Sequence, residues 1–192
     1  MEGGAGHDRY YVDNAGDVVV EADVSGNDLV VSTVSFSLAG QYIERLTLEG
    51  SADINGTGNS FANEIVGNAG DNTLDGSGGS DTLTGGAGAD SFVFSTALGA
   101  SNVDTITDFN AAADTIRIDN AVFLGLSTGT LASDAFAANT SGNAGDATDR
   151  IVYETDTGRL YFDADGNGAG AKIHFATLDP GLAMTNSDFV VI

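Results

Sequence analysis

Between residues 58 and 93 the chain repeats every nine residues, a period that few folds can accept. The units are Gly58 to Val66 (GNSFANEIV), Gly67 to Asp75 (GNAGDNTLD), Gly76 to Thr84 (GSGGSDTLT) and Gly85 to Val93 (GGAGADSFV). Position 1 is Gly in every unit, and position 8 is apolar throughout (Ile65, Leu74, Leu83, Phe92). Position 6 always carries a side-chain oxygen (Asn63, Asn72, Asp81, Asp90). The pattern is G-G-x-G-x-D-x-U-x, with U apolar. The last unit matches in full and the third nearly so. The first matches in outline, because Phe61 replaces the Gly at position 4. A flexible Gly/Asn/Asp-rich linker would have no cause to keep an apolar residue in phase through four units.

The spacing carries its own chemistry. Glycines let the first six residues turn tightly and bring backbone carbonyls together. The last three residues make a short strand, with position 8 facing in and its neighbours facing out. Two nonapeptides form one coil, so units 18 residues apart stack on the same edge, with Asn63 beside Asp81 and Asn72 beside Asp90. Such oxygen-rich turns suit Ca²⁺, which takes six to eight oxygens from carboxylates and carbonyls and tolerates irregular geometry.

These units resemble the repeats of RTX (repeats-in-toxin) proteins, which Gram-negative bacteria export through type I secretion systems, as in the serralysin-like and haemolysin-type proteins. The resemblance implies an all-β chain: a right-handed parallel β-roll or β-helix with a C-terminal β-rich capping module and one short helix. It implies one Ca²⁺ site from Asn68, Gly70, Asn72, Gly85, Ala87 and Asp90, and another from Asn59, Phe61, Asn63, Gly76, Gly78 and Asp81. Asn instead of Asp at 63 and 72 removes a charge from each, so weaker binding is expected there. Half-sites at Ser77, Gly79 and Asp81, and at Gly86, Gly88 and Asp90, require ligands from beyond residue 94. The Asp before Phe109 is assigned to close the last turn, which makes Asp108 a further ligand.

Composition narrows the partners. Only 6 Lys and Arg stand against 28 Asp and Glu, a formal net charge of −22. That argues against nucleic acid or an anionic membrane surface and leads us to expect a monomer. The metal-free chain repels itself, and cations relieve the repulsion. With 42% hydrophobic residues it can still bury a core. It has no cysteine, hence no disulfide framework. No stretch is apolar enough to span a bilayer, and Met1-Glu2-Gly3-Gly4 does not start a signal peptide.

Three segments are expected: irregular β-helix coils over 1–57, the repeat roll over 58–93, and a capping and export module over 94–192. Residues 3–11 (GGAGHDRYY) form one more nonapeptide, with Asp8 at position 6 as a candidate ligand and Tyr10 at position 8. Standing alone, it suggests that other repeats precede it and that the chain is the C-terminal piece of a larger protein. His7 reads as surface. Val18–Val20, Leu29–Val31, Val34–Leu38 and Leu46–Leu48 read as strands. Asp13, Asp17, Asp23 and Asp28 read first as turn residues and second as ion ligands.

Beyond the repeats, residues 104–109 and 114–119 read as strands, and Leu131–Asn139 as a short helix with Ser133 as its N-cap. Residues 141–149 read as a loop, 150–162 as a hairpin and Ala171–Leu178 as a strand that Pro180 ends. Asp163-Ala-Asp165-Gly-Asn167-Gly168 opens like an EF-hand, but position 12 is His174 rather than Glu, so a tight turn is expected. The C-terminal Asp188-Phe-Val-Val-Ile192 resembles the uncleaved signal of type I substrates, and so implies an exporter as partner and an extracellular location.

No enzyme is expected. There is no H-E-x-x-H, and His7 and His174 have no zinc-binding spacing. Gly125-Leu-Ser127-Thr-Gly129 matches G-x-S-x-G, but no βαβ unit lies beneath it and His174 is the only downstream base. The reading is a calcium-binding module that folds outside the cell and carries the export signal. The alternative is an adhesin, S-layer or polysaccharide-binding module, as in alginate epimerase-like enzymes. Outward strand positions (Thr73, Asp75, Thr82, Thr84, Ser91, Val93) offer neither a regular Thr ladder nor an aromatic platform.

Overall fold

A computed structural model describes residues 1–21 and 25–192. Asp23 lies outside the described residues. Strands of two to five residues alternate between two sheets, because each nonapeptide supplies one strand and one turn. β1 (Arg9–Val12), β2 (Leu29–Ser32), β4 (Arg45–Leu48), β6 (Glu64–Val66), β8 (Thr82–Thr84) and β10 (Asp104–Ile106) stack in parallel as one sheet. β3 (Phe36–Ser37), β5 (Gly56–Thr57), β7 (Thr73–Asp75), β9 (Ser91–Phe94) and β11 (Thr115–Ile118) stack in parallel as the other. The result is a parallel β-solenoid.

Position 8 builds the core. In one sheet Tyr10, Val30, Leu46, Ile65, Leu83 and Ile106 lie in register; in the other, Gly56, Leu74, Phe92 and Ile116 do. All the apolar members of both files are buried. Gly56 belongs to this file because a Cβ there would crowd Ile65 at 3.1 Å and Leu46 at 3.2 Å.

The segment after residue 94 extends both sheets. β16 (Ile173–Thr177) pairs with β10, followed outward by antiparallel β15 (Arg159–Phe162) and β14 (Ile151–Glu154), then by β13 (Phe136–Asn139) parallel to β14. β17 (Phe189–Val191) pairs in parallel with β11, and β12 (Gly129–Thr130) closes that sheet against β17. Phe94, Phe123, Phe162 and Phe175 meet edge to face, with centroids 5.0–5.2 Å apart, and join roll to cap.

Some local expectations change. The helix expected over Leu131–Asn139 contracts to one 3₁₀ turn, Ser133–Ala135, whose N-cap is Ala132 rather than Ser133. Phe136–Asn139 is strand instead, because pairing with β14 buries the backbone that a helix would satisfy internally. Val18–Val20 forms no strand, only a bridge from Val20 to Glu2. The nonapeptide at 3–11 does not stand alone, since β1 lies on β2 and buries Tyr10. Among the described residues, no helix is long and apolar enough to cross a membrane.

Candidate metal centre

Each repeat strand is entered through its position-6 residue, and this residue carries the link between coils. The Asn63 N–H donates to Asp81 Oδ1 (2.7 Å), and the Asn72 N–H to Asp90 Oδ1 (2.8 Å). The same link runs past the repeats, from the Asp81 N–H to Asp104 Oδ1 (3.0 Å) and from the Asp90 N–H to Asp114 Oδ1 (2.9 Å). It also runs before them, from the Asp8 N–H to Asp28 Oδ1 (2.8 Å) and from the Asp28 N–H to Glu44 Oε2 (2.8 Å). Asp28, Asn63, Asn72, Asp81, Asp90, Asp104 and Asp114 are all buried.

The turns behind these residues press carbonyl oxygen against the next coil. A Cβ on Gly79 would overlap the Phe61 carbonyl, one on Gly86 the Asn68 carbonyl, and one on Gly88 would lie 2.6 Å from the Gly70 carbonyl. Position 1 is Gly for a related reason: a Cβ on Gly76 would overlap Asp81 Oδ2, and one on Gly85 would lie 2.5 Å from Asp90 Oδ2. Backbone and carboxylate oxygens thus share both edges of the roll, with no space for a side chain between them.

Burial makes those carboxylates costly. Desolvation pushes Asp81 up to about 8, with the neighbouring Asp104 carboxylate adding to the shift. Desolvation likewise raises Asp104 to about 6. Asp90 is raised by burial and by the nearby Asp114 and Asp108 carboxylates. Asp81 Oδ2 is buried with no hydrogen-bond partner.

A family model for the RTX calcium-binding nonapeptide repeat matches residues 57–92 with four copies. The chain carries an RTX β-roll. Repeats of this family bind calcium. Among curated proteins, none matches the chain.

The RTX turns suit calcium on their own geometry. The orphaned Asp81 Oδ2 lies against Gly76, and the donors that these turns offer are all hard oxygens. Among the described residues, no three Asp, Glu or His side chains converge, so an ion here would rest on carbonyls plus one or two carboxylates. A calcium ion held here would supply positive charge between buried oxygens of adjacent coils. Of the expected ligands, the Asn59 and Asn68 carbonyls also accept backbone N–H groups, from Gly78 (3.0 Å) and Ala87 (3.1 Å). Asp108 reaches the last RTX turn through both oxygens, accepting the Gly85 and Gly86 N–H groups at 2.8 Å.

Asp104 and Asp114 escaped the sequence reading as site residues. They follow Asp81 and Asp90 by 23 and 24 residues rather than 18, so the nine-residue register no longer pointed to them. The available signal was local: Asp104-Thr-Ile and Asp114-Thr-Ile repeat the Asp81-Thr-Leu entry into a strand. Asp28, first read as a turn residue, also belongs to this file. Asp17 does form a turn, accepting the Asp13 and Asn14 N–H groups at 3.2 Å.

Asp8 is held in the N-terminal file, and its Oδ2 is buried without a partner. His7 accepts the Asn27 N–H at 2.9 Å through Nδ1 on the surface. The Asp163–Gly168 segment is a turn in which Asp163 Oδ1 accepts the Asp165 N–H (3.3 Å). Ser127 lines a surface hollow with Thr130, Asp134 and Arg150. His174 of β16 packs at a tilt against Tyr161 of β15 and donates from Nε2 to the Ala176 carbonyl (2.9 Å). The serine and histidine of the G-x-S-x-G match therefore belong to separate structural settings.

Proposed function

We propose that this chain is the calcium-folded export module of a larger secreted protein. The observation that carries the reading is the pair of buried carboxylate files, in which Asp81 meets Asp104 and Asp90 meets Asp114 and, among the described residues, no cationic side chain is bonded between them. In low calcium the ionised files oppose coil stacking. Outside the cell, calcium binding contributes directly to folding free energy. The C-terminal tail supports the same reading: Phe189 and Val191 are buried in β17, and Asp188 is buried in a capping box with Thr185. An exporter would read this tail before folding, and folding at the exit would oppose return. The module itself performs no catalysis.

The test is a calcium titration followed by circular dichroism, with EGTA reversal and a magnesium control. The expected outcome is a cooperative gain of β-structure with calcium and none with magnesium. A chain with full native spectrum in EGTA would sink the proposal. Export of a reporter fused to the full chain, lost when Asp188–Ile192 is replaced by Gly/Ser, tests the exporter role separately.

One observation favours the polysaccharide-binding alternative. Tyr42 and Phe61 are exposed with ring centroids 5.4 Å apart, beside a groove of about 530 Å³ lined also by Gln41, Ser60 and Thr96. Phe61 is the residue that breaks the repeat at position 4, and this platform sits on a turn edge, away from the strand faces. Retention on immobilised polysaccharide in calcium, lost in Phe61→Ala, would promote this reading; no retention would remove it.

A further inference from the structure

RTX repeats 1 and 2 differ from repeats 3 and 4 at two linked positions. Positions 2 and 6 are both Asn in the first two (Asn59 with Asn63, Asn68 with Asn72). They are Ser77 with Asp81 and Gly86 with Asp90 in the last two. All four asparagine amides turn toward the preceding coil. Asn59 Nδ2 donates to the Gln41 (3.0 Å) and Ile43 (2.8 Å) carbonyls, and Asn63 Nδ2 to those of Ile43 (3.0 Å) and Glu44 (3.4 Å). On the other edge Asn68 Nδ2 donates to Glu49 (3.3 Å) and Ala52 (3.0 Å), while Asn72 Nδ2 donates across the gap to Ile54 (2.7 Å) and within its own turn to Asn68 Oδ1 (3.0 Å).

Gln41 and Ile43 precede Asn59 and Phe61 by one coil, so their carbonyls occupy the places that the position-2 and position-4 carbonyls hold at the next gap. There, among the described residues, no side-chain amide donates to the Asn59 or Phe61 carbonyl, and Asp81 Oδ2 is orphaned. The asparagine network is closed at its oxygen ends too. Asn63 Oδ1 accepts the Asn59 N–H, Asn72 Oδ1 accepts the Asn68 N–H, and Asn59 and Asn68 Oδ1 accept the Phe61 and Gly70 N–H groups, each at 2.8 Å. A primary amide offers two N–H donors, and here they stand where converging carbonyls would otherwise call for a cation.

We propose that Asn59/Asn63 and Asn68/Asn72 replace a cation at the two gaps before the repeats, so that residues 41–75 form a calcium-independent platform on which the calcium-dependent turns from Gly76 onward assemble. This rests on the reading that those later turns bind calcium, and it divides the roll into a metal-free and a metal-dependent part. Repeats 1 and 2 then serve as acceptors of ions on their C-terminal side only.

Hydrogen exchange on the full chain tests this. In EGTA, amides of 41–75 stay protected while those of 76–119 exchange much faster; calcium then protects the second group. The double variant Asn59→Gly, Asn63→Asp restores the repeat consensus. Phe61 still departs at position 4, so the consensus returns at positions 2 and 6 only; the variant is expected to bind about one more calcium by titration calorimetry and to lose protection over 41–63 in EGTA. The reciprocal Ser77→Asn, Asp81→Asn is expected to bind fewer ions while gaining protection over 59–81 in EGTA. Uniform exchange of 41–75 in EGTA, or a consensus variant with unchanged stoichiometry and protection, overturns the proposal. In a chain that bound no calcium the function proposed above would fail. Protection of 41–75 in EGTA would still support the clasp, and its absence would still overturn it.

Discussion

Asp81 concentrates the energetics of the roll in one side chain. One oxygen accepts the Asn63 N–H, and the other is buried without a donor beside Asp104. Asp81→Asn removes a buried charge, so the calcium-free chain is expected to melt higher than the parent. In the proposed calcium site the same change removes a hard anionic ligand, so in calcium the order is expected to invert; paired melts in EGTA and in calcium check both halves. A pH effect follows from the same groups. Burial raises Asp81 to about 8 and Asp104 to about 6, above the value of about 4 for an unfolded carboxylate. The folded state therefore binds more protons than the unfolded one between those limits. Stability of the calcium-free chain is fully present near pH 4 and falls as pH rises through 6 and 8. Melting in EGTA at pH 5.5 and 8.5 is expected to give the higher midpoint at the lower pH, and calcium affinity is expected to run the opposite way.

Among strands, β17 joins the terminal residues to the roll. Ile116 of β11 faces Phe92 of β9 on one side and Phe189 of β17 on the other, all fully buried. Phe189 also packs against Phe136 at 5.4 Å. Phe189→Ala is expected to cost about 3–5 kcal/mol, as for other buried aromatic truncations, measured by denaturant unfolding in saturating calcium. Val190, only half-buried on the opposite face of the same strand, is expected to tolerate Thr with little change. If both substitutions cost the same, β17 is not packed as described.

At the scale of the whole molecule, the cap completes the roll chemically as well as sterically. Asp104, Asp108 and Asp114 all come from beyond the repeats, yet Asp104 bonds to the third repeat and Asp108 and Asp114 to the fourth. A fragment ending at Phe94 would leave Asp81 and Asp90 without these partners and would expose the parallel edges of β8 and β9. Such a fragment is expected to show no calcium-induced gain of β-structure at calcium levels that fold the full chain. Circular dichroism decides it.

The repeat alone determined the parallel architecture. A Gly-rich turn, an apolar position 8 and two nonapeptides to a coil admit one stacking, and Leu74 beside Phe92 follows from it. It also determined which position-6 residues meet, because a fixed period converts sequence distance into spatial neighbourhood. The tertiary structure alone decided what lay outside that register: Asp104 and Asp114 as continuations of the files, Phe136–Asn139 as strand, and Tyr42 against Phe61. Each depends on contacts between segments at irregular separations, which no local pattern encodes. The amide clasp stands between the two cases. The asparagines were visible as departures from the repeat, but their role rests on the direction of each Nδ2 group, which is set by the carbonyls of a coil outside the repeat.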